Sequence, residues 1–368
     1  MAILLTRALA MTLVAAPTGC ALLTSLDGFT GGSGNADASS GGVAADAASD
    51  AAANDGGGGA DGAGTDAGSA RSALVVVGGR RADIPVTTAS VAPILEDGGL
   101  GAWQESAFVD AQRFFTIYVG SRGPNVFVLS SPTTYTGTLL ADRTPSWTVQ
   151  PDLGRDDFCT AVAGDSVIVT GGEKGGTAVA SVLSSRAGAT LAWSETKELV
   201  EPRQLHGCAA NERFVYVVAG KNASGDHQST VFYAERSTRG ELGPWKFTIP
   251  LPATGYLPGA VVIGSRLAVI GGELDGVPAA SVYHAHIQAD GSIESWQLGT
   301  PLPEDVHGAR VVAAGSRVYV VSGFSDGKET GSVYTTTIDP ETGAMAPWTP
   351  TTSLPGGRQF HGAAIVTY

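Results

Sequence analysis

Histidines and arginines recur at one point of a repeated segment. Three histidines stand directly before a glycine: His206, His307 and His361. Three arginines recur three residues ahead of that position: Arg155, Arg203 and Arg358. Imidazole groups brought together in this way would bind a metal ion or a polar ligand. With the nearest acids and one further arginine, the candidates for a ligand-binding opening are Arg155, Asp157, Arg203, His206, Asp305, His307, Arg310, Arg358 and His361.

Repetition alone also explains this pattern, because a repeat puts equivalent residues in equivalent places whether or not they act together. We therefore expect most of these side chains to form hydrogen bonds in turns and between repeats, with a polar-ligand site as the alternative. We expect no metal site and no cofactor, since metal ligands must converge at about 2 Å. The chain has no glycine-rich phosphate loop and no nucleophile motif, so no catalytic residue is assigned.

The elements that position these residues are six similar units. Six apolar strings end in Gly-Gly or a small-residue equivalent, at Gly79, Ser131, Gly172, Gly220, Gly272 and Gly323. Six tryptophans fall one to a unit, at Trp103, Trp147, Trp193, Trp245, Trp296 and Trp348. Two independent markers with one period of about 50 residues indicate a repeat architecture.

Each unit has the pattern of four short antiparallel strands. Residues 309–351 show it most clearly, as two apolar strands, one alternating strand and a fourth strand that begins at Trp348. The chain starts its first unit without a first strand and ends, at 363–368, on a first strand without a second. Pairing these two ends removes an exposed sheet edge. The sequence therefore predicts an all-β, six-bladed β-propeller closed by its C-terminal strand.

Residues 73–368 resemble the kelch family. The resemblance is carried by the apolar run with Gly-Gly, by Tyr283 and Tyr334 in the following strand, by the tryptophan 12 to 14 residues further on, and by the Leu-Pro…His-Gly approach to the next unit. It implies a kelch-type propeller whose glycines and tryptophans serve packing. Bacterial sialic-acid mutarotases also resemble kelch propellers, which implies a carbohydrate-active enzyme as an alternative to a non-catalytic binding or scaffold protein.

The N-terminal residues differ in kind from the repeats. Residues 1–19 have one positive charge, Arg7, followed by a short apolar stretch, which is typical of a secretory signal peptide. They end in small residues before Cys20, which resembles a bacterial lipoprotein signal and implies a lipid on Cys20 and an address at the outer membrane, facing the periplasm or the surface. A free secreted protein is the alternative. Residues 20–72, rich in Ala, Asp, Gly and Ser, are expected to be a flexible linker.

Charge and cysteine content limit the partners. The net charge is −13 without a basic cluster, which argues against nucleic acid and against anionic lipid headgroups. The expected partner is an unidentified protein, peptide or glycan, and the expected state is a monomer with no membrane contact except the lipid anchor. Cys159 and Cys208 stand at neighbouring positions of consecutive units; we expect two buried small hydrophobes there, with a disulfide as the alternative.

Overall fold

A computed structural model describes residues 71–108 and 116–368. The predicted signal peptide, the lipidation site Cys20 and nearly all of the predicted linker lie outside these residues. The described part of the chain is built from strands and contains no helix, so it offers no helical segment suited to crossing a bilayer.

Six four-stranded antiparallel sheets, numbered I to VI in chain order, form the structure. Within each sheet the strands are named in spatial order, from the first to the fourth. Sheet I consists of Gly362–Thr367, Ser72–Val77, Thr88–Pro93 and Gln104–Ala107. Sheet II consists of Tyr118–Arg122, Asn125–Leu129, Thr134–Leu139 and Pro145–Gln150. Sheet III consists of Cys159–Ala163, Ser166–Thr170, Val182–Arg186 and Ser194–Glu195. Sheet IV consists of Gly207–Ala210, Phe214–Val218, Val231–Glu235 and Lys246–Thr248. Sheet V consists of Gly259–Ile263, Arg266–Ile270, Val282–His286 and Gln297–Leu298. Sheet VI consists of Arg310–Ala314, Arg317–Ser325, Lys328–Thr337 and Thr349–Pro350.

The second strands form the centre of the core. All five residues of Phe214–Val218 are buried, as are all five of Ser166–Thr170. A strand that is apolar on both faces needs a neighbour on each face, and these strands obtain it because the sheets stack on one another. Leu74 of sheet I, for example, packs in one cluster with Tyr319 of sheet VI.

The first strands of the six sheets are neighbours in the order I to VI, and the first strand of sheet VI also lies beside that of sheet I. The strand Gly362–Thr367, from the end of the chain, pairs with Ser72–Val77 along six residues, from Ser72 opposite Thr367 to Val77 opposite Gly362. The described part of the chain is thus all-β, with many antiparallel sheets in an arrangement consistent with a β-propeller.

Four of the six recurrent tryptophans donate a hydrogen bond to the sheet before their own. The indole nitrogens of Trp245 and Trp348 donate to the carbonyl oxygens of Lys197 and Thr300, each at 2.9 Å. Trp103 closes the series, because its indole donates to Thr352 O of sheet VI at 3.0 Å. A buried indole needs a partner for its N–H group, and in these sheets a carbonyl of the preceding sheet supplies it, whereas the indole nitrogens of Trp147 and Trp193 are buried without one among the described residues.

The glycine pairs end the second strands in a left-handed turn. Gly171 and Gly172 have φ values of 54° and 102°, and a Cβ atom on Gly172 would lie 2.5 Å from Asp156 O. The turn sends the chain into short hairpins at the same end of the structure. Three small sheets result: Arg80–Arg81 with Ile84–Pro85, Glu173–Lys174 with Thr177–Ala178, and Gly255–Tyr256 with Glu273–Leu274 and Val277–Pro278.

Candidate functional site

One backbone bridge recurs in five sheets and builds the opening of the central channel, which we call the mouth. In each case the residue that follows the glycine pair, or its Ala-Gly or Ser-Gly equivalent, is bridged to the residue three positions before the first strand of its sheet. The pairs are Arg80 with Gln359, Glu173 with Asp156, Lys221 with Gln204, Glu273 with Tyr256, and Phe324 with His307. Both partners lie where the second strand ends and the first begins, so all five pairs meet at one end of the structure.

A second repeated feature turns side chains toward the mouth. Asp157, Leu205, Leu257 and Phe360 occupy corresponding positions next to the bridge, and their φ values lie between 50° and 58°. This left-handed conformation is unfavourable for residues other than glycine, and it persists here because the bridges fix the chain on both sides. All four side chains line a cavity of about 530 Å³.

The cavity has one acidic wall, contributed by sheet III. Asp156, Asp157 and Glu173 line it, and Thr116 donates a hydrogen bond to the Asp157 carboxylate at 3.0 Å. Burial raises the pKa of Asp157 above its ordinary value. Burial also raises the pKa of Asp156, with smaller contributions from the negative charges of Asp157 and Glu173. Burial thus favours the protonated form of both aspartates, while the positive charges of Lys221 and Arg310 act in the opposite direction on Asp157.

The opposite part of the cavity carries a tyrosine and a histidine that share one carboxylate. Tyr256 donates to Glu273 Oε2 at 2.7 Å, and His307 Nδ1 lies 3.8 Å from the same oxygen. Burial, together with the Glu273 carboxylate, raises the pKa of Tyr256 to about 12, so its hydroxyl stays protonated at neutral pH. Burial lowers the pKa of His307, which keeps its imidazole neutral. Glu273 thus orients the neutral Tyr256 hydroxyl, while its charge acts against the burial that lowers the His307 pKa.

Below the cavity the channel narrows to a neck lined by Tyr118 and Arg310. The Arg310 guanidinium lies 4.8 Å from the Tyr118 ring centroid and donates to Ile117 O at 3.1 Å. The two side chains meet across sheet I, whose first strand begins with Gly362. A Cβ atom there would lie 2.3 Å from Val119 Cγ2, so only glycine leaves room for this crossing.

Comparisons with known proteins agree with this architecture. No family model matches the chain. Kelch-like protein 7 of Rattus norvegicus and of Mus musculus are each 29% identical to it over 84 residues, which is 23% of this chain and 14% of those proteins. The chain thus matches only a small part of the length of these relatives. The solved structure titled "Structure of YjhT" superposes with a TM-score of 0.55 and 14% identity, covering 74% of this chain and 96% of that one.

These comparisons support a kelch-type β-propeller. The sequence matches are short, and the structural likeness at 14% identity concerns the fold alone. The mouth of the propeller therefore has to be interpreted from its own residues.

The three recurrent arginines do not reach the cavity. Arg155 donates to the carbonyl oxygens of Gly171 and Ser181, each at 3.0 Å. Arg203 is fully buried and donates to Thr230 Oγ1 at 2.9 Å. Arg358, also fully buried, donates to Pro355 O at 3.1 Å and to Gly78 O at 3.4 Å. Their guanidinium groups hold turns and strand ends together inside the propeller.

The remaining candidates separate into different environments. Asp157 and His307 line the cavity, while His206 and Arg310 line the neck. His361 is completely buried, and Asp305 is exposed to solvent outside the cavity. Among residues 71–108 and 116–368, no three histidine, cysteine or acidic side chains are grouped closely enough to hold a metal ion.

The expectation that the three histidines occupy equivalent positions in their repeats is wrong. His206 and His361 directly precede the first strands of their sheets, whereas His307 stands three residues before Arg310, where the first strand of sheet VI begins. His307 is therefore equivalent to the bridge residues, which explains why it alone of the three faces the cavity. The His-Gly dipeptide was a misleading marker, because the backbone bridge rather than the dipeptide sets the register.

Sequence reasoning also missed several residues of the mouth. Arg80, Glu173 and Glu273 each follow a Gly-Gly pair directly, a signal that is visible in the sequence. Tyr256 and Gln359 have no such marker, since only the bridge pairing places them at the mouth.

Cys159 and Cys208 form a disulfide between the first strands of sheets III and IV, with their Cα atoms 5.9 Å apart. The expectation of two unpaired buried cysteines is thus not met. Neighbouring first strands approach each other closely at the channel, and this separation lies within the range that a disulfide spans.

The two buried histidines, His206 and His361, should make the stability of the protein depend on pH. Burial lowers the pKa of His206 to about 3, so this imidazole stays neutral in the folded protein while it titrates near its usual value in the unfolded chain. Between these two values the unfolded chain binds one more proton, and stability falls as the pH falls, by up to about 1.4 kcal/mol per pH unit. His361 contributes in the same direction.

Urea unfolding of the wild type and of His206→Gln between pH 7 and pH 4 measures this effect. The variant should be less stable than the wild type at pH 7. Its free energy of unfolding should fall less steeply with falling pH, and the difference between the two slopes should correspond to about one proton. Equal slopes for the two proteins would contradict the assignment of a neutral buried His206.

Proposed function

We propose that the protein is a non-catalytic binding propeller tethered to the cell envelope, which recognises a protein, peptide or glycan through its mouth. In this proposal residues 73–368 form a six-bladed ring closed by the C-terminal strand. The pairing of Gly362–Thr367 with Ser72–Val77 and the neighbouring first strands of sheets VI and I support that closure.

The observation that carries the binding function is the mouth cavity. Its volume of about 530 Å³ falls in the range of small-molecule and side-chain sites, and all six sheets or the segments leading into them contribute side chains to it. Four of those side chains are held by strained left-handed backbone, which is more typical of functional sites than of turns that serve the fold alone.

A binding screen with a cavity-filling variant tests this function. The full-length protein is applied to glycan and peptide arrays together with Leu257→Trp, which fills the cavity with a larger ring. Leu298→Trp is the matched control, because Leu298 is exposed on the fourth strand of the same sheet. Ligands should bind the wild type and the control but not Leu257→Trp. Failure to find any ligand, or equal binding by all three proteins, would refute the proposal.

A carbohydrate-active enzyme is the second candidate, because Asp157 and His307 line one cavity with pKa values shifted toward the protonated carboxyl and the neutral imidazole. Such a pair has the protonation states that acid–base catalysis requires. NMR exchange measurements of sugar anomer interconversion test it. A rate increase that is lost in both Asp157→Asn and His307→Gln would favour the enzyme, and an unchanged rate would favour binding alone.

The tether is proposed from the sequence, as a signal peptide at 1–19, a lipid on Cys20 and a flexible linker at 20–72, in a monomeric protein of the outer membrane. Cys20→Ala should move the protein from the membrane fraction to the soluble fraction, because a lipid anchor supplies the only expected membrane contact. Fractionation followed by immunoblotting measures this shift. Unchanged fractionation would leave free secretion or another attachment as the explanation and would contradict the lipid anchor.

A further inference from the structure

We infer that the outer edge of sheet II is a docking site for an extended segment of a partner polypeptide, which adds to the sheet as a fifth strand. None of the residues 145–150, which form this edge, lines the mouth cavity, so the inference does not depend on the proposed function. It follows from the length of the edge strand, from its free backbone groups and from its lack of charge.

Sheet II has the longest fourth strand of the six described sheets. Pro145–Gln150 pairs with Thr134–Leu139 over six residues, and no described strand pairs with its other edge. The fourth strands of the other five sheets have two to four residues. Very short edge strands discourage pairing with another chain, so five sheets have this protection and sheet II lacks it.

The backbone hydrogen bonds show which groups of this strand face away from the sheet. Leu140 N donates to Thr144 O at 3.0 Å, and in an antiparallel pair such hydrogen-bonded positions recur at every second residue. Trp147 and Val149 fall between these positions, so their N–H and C=O groups point outward. Among the described residues, no hydrogen bond reaches these four groups. They form two donor–acceptor pairs about 6.8 Å apart, a spacing that an extended strand matches.

The third property is the composition of the edge. Residues 144–150 contain no charged side chain, whereas the fourth strands of sheets I, III and IV carry Glu105, Glu195 and Lys246. Charged side chains on an edge oppose pairing with another chain. The tryptophan, threonine and valine of the sheet II edge are residue types that favour strands. The edge is thus suited to pairing in composition as well as in length.

The exposed side chains and the net charge define the occupant further. Val149 is 63% exposed, and an apolar residue directly opposite it on an added strand would cover it. A second copy of the chain fits this edge less well, because each copy has a net charge of −13 and like-charged proteins repel. The occupant is therefore an extended, proline-free segment of a different polypeptide, with an apolar residue opposite Val149.

Fluorescence anisotropy with the full-length protein tests the inference. The probes are fluorescein-labelled peptides of the form Lys-Thr-Xaa-Thr-Xaa-Thr-Lys, with valine, isoleucine or tyrosine at Xaa, and the same peptides N-methylated at every internal residue. At least one unmethylated peptide should bind with a Kd below about 1 mM, since about four main-chain hydrogen bonds of ordinary strength reach this affinity. The methylated peptides keep the side chains but lose the N–H donors, and they should not bind.

Variants locate the binding. Val149→Pro removes an outward N–H group that the fold does not use, so it should weaken binding at least about tenfold and leave the urea midpoint near that of the wild type. Leu298→Pro is the matched control on sheet V: Gly299 N donates to Val282 O at 2.8 Å, so the Leu298 N–H group also points outward. This control should change affinity less than about twofold, because a fourth strand of two residues offers too short an edge.

Hydrogen exchange and a second variant provide independent measurements. The amide groups of Trp147 and Val149 should exchange freely in the protein alone and be protected when the peptide is bound. Should Val149→Pro fail to fold, Val149→Lys keeps the backbone groups and places a charge on the edge, and it should also weaken binding.

Any of three results would overturn the inference: no binding of any unmethylated peptide, equal binding of the methylated peptides, or unchanged affinity in both Val149 variants. A dimer of the wild type that Val149→Pro abolishes would assign the edge to a second copy of the chain and would overturn it too. Leu257→Trp, which fills the mouth, should bind the peptides as the wild type does, so the two proposals fail separately.

Discussion

Removing residues 362–368 is expected to abolish cooperative folding of the propeller. This segment supplies the first strand of sheet I, pairs with Ser72–Val77 along six residues and buries Ala363, Ala364 and Val366. Its loss leaves a row of backbone groups unpaired and exposes the apolar second strand of the sheet. The free energy of unfolding should fall by more than about 5 kcal/mol, which equals the entire stability of a marginally stable domain.

Tryptophan fluorescence in urea and limited proteolysis measure this loss. A synthetic peptide of residues 362–368 added in excess should restore resistance to protease, whereas a peptide with the same residues in scrambled order should not. A truncated protein with an unchanged unfolding midpoint would show that the C-terminal strand does not hold the propeller together.

Replacing both Cys159 and Cys208 with alanine is expected to lower the free energy of unfolding by about 4 kcal/mol. The disulfide links residues 49 positions apart, and its removal restores the conformational entropy of that loop to the unfolded chain. Because it joins sheets III and IV at their first strands, the two sheets should also separate more readily.

Urea unfolding with and without a reducing agent provides the comparison. The wild type under reducing conditions should unfold at nearly the same urea concentration as the double variant, and the variant should not respond to the reductant. If the oxidised wild type and the double variant are equally stable, the disulfide contributes nothing to the fold.

The sequence shows the repeat well because packing demands it. A second strand that is buried on both faces must have a continuous run of apolar residues in its sequence, and Val215 and Val217 belong to such a run. The glycine that follows in five of the six units adopts a left-handed conformation, and four of the six tryptophans donate to a carbonyl on the preceding sheet. Each requirement constrains residue type at a fixed spacing, so all three can be recognised without coordinates.

The residues of the candidate site, unlike the packing residues, cannot be recognised from their recurrence in the repeats. Of the nine residues selected from the sequence, Asp157 and His307 line the cavity, while Arg203 and Arg358 form their hydrogen bonds deep inside the structure. Their recurrence reflected a repeated structural contact. By contrast, Tyr256 lines the cavity without any recurrent marker, because residues that bind a ligand are free to differ from one repeat to the next.

The sequence by itself determined the repeat, the all-β class and the predicted meeting of the two ends of the chain, since these depend on local residue types and their period. Only the tertiary structure decided which side chains share the mouth. The bridge that pairs Glu173 with Asp156 and Glu273 with Tyr256 joins residues 17 positions apart, and the cavity then gathers such pairs from separate sheets. The physical reason is that strand register and backbone conformation decide which side chains face each other across a channel. The order of residues along one repeat does not specify either of them.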